Sequence, residues 1–173
     1  MLPMVLKIAD KVKVDGESSL KGFERQIDVE HLVHEISMPM VSDKSSNSRT
    51  SGRCKHGEFV CSVRMNKSYP KLLEACAKGS NLGRVELSMV KINEGAVSVV
   101  AKYILADVYI SAVRLAPEVG MDAGFTAETG NTTLPWVEFS LNYQTIAVTY
   151  NEFDKTGANK GAVSCDPISG LGA

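Results

Sequence analysis

Trp136-Val137-Glu138-Phe139-Ser140-Leu141-Asn142-Tyr143 is the stretch on which the fold turns. Val137, Phe139, Leu141 and Tyr143 fall on one side of an extended chain, with Glu138, Ser140 and Asn142 on the other. A period of two is what a strand requires when one face meets a core and the other meets water. The pattern resumes after Gln144, where Ile146, Val148 and Tyr150 alternate with Thr145, Ala147 and Thr149 as a neighbouring strand.

The same period recurs on the N-terminal side. Ile27, Val29 and Val33 are expected to share a face with His31, opposite Gln26, Asp28 and Glu30. Arg84 to Ile92 and Val97 to Leu115 are rich in Val, Ile and Tyr. The second run far exceeds the usual strand of about 5–6 residues, so Asp107 is expected to mark a bend, a bulge or a change of face. Only one short helix stands out. Tyr69, Leu72, Leu73 and Cys76 make an apolar stripe at helical spacing, with Ser68 at the cap position, Pro70 in the first turn and Gly79 as the stop. A helix this short must pack on a sheet to be stable.

Two stretches break the alternation. Ser42 to Arg53 is polar and lacks periodicity, and Ala116 to Thr133 is rich in Gly, Thr and acidic residues. Loops of that length inside a compact domain are usually functional or disordered. Both fall between strands and there is no internal repeat, so residues 1–173 are expected to form a single domain.

Composition narrows the function classes. The chain has 173 residues, 44% apolar and 23% charged, the balance of a globular protein with a sizeable core. Its formal charge is −1, with basic residues scattered along the chain. That argues against nucleic-acid binding, which relies on clustered Lys and Arg. It also does little to oppose self-association. Lys7 and Asp10 interrupt the N-terminal apolar run, so neither a signal peptide nor a membrane insertion is expected, and folding is placed in the cytoplasm. Cys54, Cys61, Cys76 and Cys165 are irregularly spaced and are expected to be free thiols.

No catalytic, cofactor or metal site is assigned. Cys54, His56 and Cys61 lie close together, but a structural zinc site needs a second pair of ligands, and Cys61 belongs to a strand from Glu58 to Met65 as a packed thiol. His31 and His34 face opposite sides of a strand and cannot converge on one ion. Gly79-Ser80-Asn81-Leu82-Gly83 follows a helix and precedes a strand, the reverse of a phosphate cradle. Neither G-x-S-x-G nor H-E-x-x-H occurs.

The order of these elements resembles the haemolysin co-regulated protein (Hcp) family, the inner-tube subunits of bacterial type VI secretion. Asn66-Lys67-Ser68-Tyr69-Pro70 through Ala75-Cys76 stands where the family has its passage into a single helix. Arg25-Gln26-Ile27-Asp28-Val29 resembles its early strand. Val137 to Asn142 followed by Ile146 to Tyr150 resembles its late hairpin. The Ala116–Thr133 segment is longer than the family pattern, and the first loop is Ser- and Arg-rich where many relatives are Gly-rich.

The resemblance implies a mainly β fold: a small β-barrel of two antiparallel-rich sheets with one short flanking α-helix and a long extended loop. It implies a homohexameric ring, rings stacked into a tube, and effector cargo carried or escorted. It further implies a spike protein at the tip and a contractile sheath as partners, with export that needs no signal peptide. Lys44, Arg49 and Arg53 in the first loop are the candidates for subunit and ring contacts. A chain of this length scales to a radius of gyration of about 16 Å, a sphere ~40 Å across, and six touching equal spheres enclose a hole of ~40 Å. The alternative reading from the residues themselves is a closed β-barrel binding a small molecule in its interior.

Overall fold

Alternation of buried and exposed side chains builds nearly every element of the computed structural model, which describes residues 2–42, 49–51, 53–93, 95–116, 134–153 and 159–169. The chain opens with β1 (Met4–Ala9), β2 (Lys13–Val14), β3 (Ile27–Val29), β4 (His31–Val33) and β5 (Ile36–Ser37). Next come β6 (Met40–Ser42), β7 (Arg49–Ser51), β8 (Lys55–His56), β9 (Phe59–Arg64) and the helix α1 (Tyr69–Ala77). Two long strands, β10 (Gly83–Asn93) and β11 (Ala96–Ala116), are followed by β12 (Trp136–Asn142), β13 (Thr145–Phe153), β14 (Asn159–Ser164) and β15 (Ile168–Ser169).

These elements form two antiparallel sheets that share β11. In one, β2 and β3 pair with β1, β1 with β10, β10 with β11, β11 with β13, and β13 with β14 and β15. In the other, β11 pairs with β12, β12 with β9, and β9 with β4. The remaining side is crossed by the chain itself: β3 belongs to the first sheet, β4 to the second, and between them the Glu30 N–H donates to the Ser62 carbonyl at 3.0 Å. The result is barrel-like, with the core between the sheets. Phe59, Phe139, Leu6, Leu87, Leu105, Leu141, Ile27 and Ile146 are all less than 2% exposed there, each contributing about 1.5–3 kcal/mol by leaving water.

β11 can serve both sheets because it turns at Asp107. Ala101 to Ala106 pair with β13, whereas Tyr109 to Ala116 pair with β12. Between them Asp107 has φ +48°, the left-handed region, as the excess length of this run anticipates. Flanking bonds pin the corner: Gln144 N–H donates to Ala106 O at 3.0 Å and Leu82 N–H to Val108 O at 2.7 Å. Lys11 Nζ lies 3.6 Å from the Asp107 carboxylate.

The helix packs on the sheet through Leu72 and Ala75, with Tyr69 and Cys76 partly buried against the core. Leu73 departs from the expected stripe and is 39% exposed, because the buried arc is centred on Leu72 and Ala75. Ser68 also departs from its expected role. Its backbone is already helical (φ −72°, ψ −27°), and its buried Oγ makes no capping bond. Asn66 turns the chain instead, its Oδ1 accepting the Ser68 N–H at 2.9 Å. Gly79 does stop the helix: at φ +59° it lets its own N–H reach Cys76 O and the Ser80 N–H reach Ala75 O. On the outside, Lys71 and Lys78 both bind Glu74 and hold its carboxyl down at about 2.

Two further expectations are corrected. Ile27 and Val29 are buried, but His31 and Val33 are exposed while Leu32 packs inward. The phase slips at Glu30 because the chain there changes sheets, so no single strand spans the run. Ser42 to Arg53 is not an irregular loop throughout. Ser42 and Arg49 close a two-stranded ladder between β6 and β7, whereas residues 43–48 and 52 lie outside the described residues. The Gly- and Thr-rich stretch 117–133 likewise lies outside them.

The corner at Asp107 yields a measurable consequence. Asp107→Val places a β-branched side chain in the left-handed region and should cost about 1–3 kcal/mol in urea unfolding. Asp107→Gly should cost less than about 1 kcal/mol, since the lost surface ion pair is offset by the backbone strain removed. Equal loss in the two variants would show that the corner does not depend on this conformation.

Candidate assembly surface

Past Val33 the chain leaves the sheets and forms an arm. Its root is the β5–β8 ladder, with Ile36 opposite His56 and Ser37 opposite Lys55. The Gly57 N–H adds a bond to Glu35 O at 2.8 Å. Farther out, Met40 pairs with Ser51 and Val41 with Thr50 in the β6–β7 ladder. Neither ladder is joined to the main sheets. The arm is nevertheless apolar: Val33 is 65% exposed, Ile36 41%, Met38 49% and Met40 59%. Scattered surface apolar residues are ordinary, but four large exposed ones within eight residues, on a segment outside the main sheets, are a candidate contact surface.

The root of the arm is tied to the body through one phenol. Tyr143 is only 7% exposed, and its Oη lies 2.6 Å from His34 Nε2 and 3.3 Å from His56 Nδ1. With both rings neutral, the hydroxyl donates to one imidazole and accepts from the other, which satisfies all three groups. His34 also stacks at 5.4 Å on Phe59, which in turn meets Tyr103 at 5.6 Å. Burial, reinforced by His56, pushes the His34 imidazole below its ordinary 6.5. Burial and the nearby Cys54 push the Tyr143 phenol up.

Beside this root the inner face of the first sheet runs out into an open groove of about 600 Å³. Leu2, Met4, Leu32, Met89 and Tyr103 line it together with Glu30 and His31, and Val33 and His34 lie where it meets the arm. The groove therefore abuts the root of the arm at Val33 and His34.

The residues singled out in the sequence fall as follows. Lys44 lies outside the described residues. Arg49 occupies β7 opposite Ser42, and Arg53 is exposed where the chain leaves β7. Cys61 sits in β9 opposite Phe139, fully buried, and burial pushes its thiol well above the usual range. It is thereby cut off from His56, which faces Tyr143. No three His, Cys, Asp or Glu side chains converge on a metal position among the described residues. His31 and His34 part company: His31 stacks at 5.3 Å on Trp136, over which the Arg64 guanidinium also lies at 3.9 Å. The four cysteines are free.

What the sequence reading missed is the group His34–Tyr143–His56. A signal for part of it existed, since Tyr143 shares its face with Phe139 and Leu141 and a phenol on a buried face needs a polar partner. Nothing in the spacing of residues 34, 56 and 143 identifies the imidazoles as that partner.

The model of the family described as "Type VI secretion system effector, Hcp" matches residues 5–150. The sequence matches no curated protein. Among solved structures the chain is similar to one described as a type six secretion system protein, at 18% identity and a TM-score of 0.79, covering 96% of this chain and 93% of the other. It is similar also to Hcp1 of the E. coli EAEC 042 pathovar (18% identity, TM-score 0.71, 99% of this chain and 100% of the other). A type VI secretion system effector from Yersinia pestis follows at 19% identity and a TM-score of 0.67, covering 96% and 98%. At these identities the structures speak for the fold, and the family match speaks for the lineage.

The phenol at the root of the arm can be tested by itself. Tyr143→Phe strands both half-buried imidazoles and should lower stability by about 1–2 kcal/mol near neutral pH, read from the urea midpoint. An unchanged midpoint would mean that the hydroxyl does not hold the arm.

Proposed function

Because the chain belongs to the Hcp family of type VI secretion proteins, we propose that it is a structural subunit of the secretion tube and acts through shape rather than catalysis. Copies associate head to tail into six-membered rings, and the rings stack. A heterologous interface of this kind closes when its rotation divides a full turn, leaving every subunit with the same neighbours. The whole chain, residues 1–173, works as one tube unit. Its partners are other copies of itself, effector cargo in or on the ring, a spike at the tip and a contractile sheath outside. The assembled tube leaves the bacterial cell by the type VI route.

The observation that carries this reading beyond the family match is the exposed row Val33, Ile36, Met38 and Met40 on an arm that the body does not cover. A solitary chain leaves that row in water, whereas a neighbouring copy removes it. The groove beside the arm root offers a complementary apolar surface, so arm and groove can meet between copies. Lys44, Arg49 and Arg53 remain the candidates for offering charge to a neighbouring copy. A net charge of −1 opposes the association little. In the same reading, no helix among the described residues is long and apolar enough to cross a membrane.

The competing reading, a barrel with a ligand inside, requires an empty interior. Here the space between the sheets is filled by Phe59, Phe139, Leu87, Leu105 and Leu141, all essentially inaccessible. The groove opens at the margin instead.

Solution mass at several concentrations tests the proposal. The wild-type chain should reach six times its own mass as concentration rises. Met38→Asp and Val33→Asp, both at exposed positions, should keep the wild-type unfolding midpoint to within about 0.5 kcal/mol yet shift the protein to the monomer. A chain that remains monomeric throughout, or an aspartate pair that assembles normally, contradicts it.

A further inference from the structure

Both legs of the arm depend on one hydroxyl. His34 enters the arm just before β5, and His56 lies on the returning leg in β8, directly opposite Ile36. Each contacts Tyr143 Oη, at 2.6 and 3.3 Å. Two imidazole nitrogens that share an oxygen at these distances lie within about 6 Å of each other, a separation at which like charges repel strongly in a half-buried site. Neither ring has a carboxylate hydrogen-bonded to it among the described residues.

We propose that His34, His56 and Tyr143 form a proton-sensitive latch that holds the arm at neutral pH and releases it when both imidazoles become charged. The inference rests on the arm serving as an assembly surface, which it deepens by naming a control on that surface. With neutral rings, one donor and one acceptor position on the phenol satisfy both histidines. One added proton is still accommodated, because the phenol oxygen can accept from the imidazolium. A second proton makes both rings donors with like charge, and the pair separates.

Glu30 and His31 line the same groove as His34, with Glu30 lying 3.7 Å from the Arg64 guanidinium. Cys54 acts on the phenol from the returning leg, and Tyr103 and Phe59 flank His34 from the sheets. Glu35 and Glu58 are exposed neighbours in sequence, as are Lys55 and Arg53, so their charges are largely screened by water. The direction of the effect follows from His34, which binds its proton less readily in the docked arm than in the free chain. The docked arm is therefore favoured above the ordinary imidazole value of 6.5 and loses that advantage as the pH falls below it towards the depressed value.

Hydrogen exchange of the full-length chain reads the latch directly. Amides of the β5–β8 root, including Gly57, should lose protection by about tenfold or more between about pH 7.5 and about pH 5, after correction for intrinsic rates, while the amides of β10 and β11 keep theirs. His34→Gln and His56→Gln, which keep polar groups but cannot charge, should each abolish most of that loss. Solution mass followed in parallel should fall towards the monomer over the same pH range. Constant protection of the root in the wild type, or the same loss in the double glutamine variant, overturns the latch. Loss of protection in a chain that is monomeric at every pH supports the latch and overturns the assembly reading instead.

Discussion

A single strand that belongs to two sheets is the constraint from which the architecture follows. β11 pairs with β10 and β13 along its first half and with β12 along its second, and the turn between them falls on Asp107 in the left-handed region. At that turn the partner of β11 changes from β13 to β12, and β12, β9 and β4 make the second sheet. The core of Phe59, Phe139, Leu105 and Leu141 exists because the two halves of this strand face each other's sheets. An aspartate is suited to the corner: its short polar side chain tolerates the conformation better than a branched one.

In a barrel-like body built in this way most apolar side chains are buried between the sheets, and that throws the unburied apolar surface into relief. Leu6, Ile8, Val85 and Leu87 are sealed between the sheets, whereas Val33, Ile36, Met38 and Met40 project on an arm with its own separate ladders. In the proposed assembly the body supplies rigidity and the arm supplies the contact. The histidine–tyrosine group at the root is where they meet, since Tyr143 of the body contacts His34 and His56 on the two legs of the arm.

Much of the body is legible in the residues. The Trp136–Tyr143 alternation places Phe139 and Leu141 in the core, the excess length of β11 points to Asp107, and Gly79 marks the helix end. What the sequence obscures has local physical causes. Alternation alone does not reveal that the chain changes sheets at Glu30, which reverses the side on which His31 and Val33 lie. Helical spacing alone does not separate Leu72, which faces the sheet, from Leu73, which faces water. Within the arm, Ser42 to Arg53 reads as polar and aperiodic, because two-residue and three-residue ladders are too short to show a period. The convergence of His34 and His56 on Tyr143 joins segments far apart in the chain, and only the fold brings them together.

In the proposed tube, copies of one chain fit side by side through surfaces that each leaves bare. Electron microscopy of the purified chain at high concentration looks at that directly. Rings of six around an opening of ~40 Å, the size set by a compact chain of this length, are the expected image. A field of separate single-chain particles at the highest attainable concentration would contradict it.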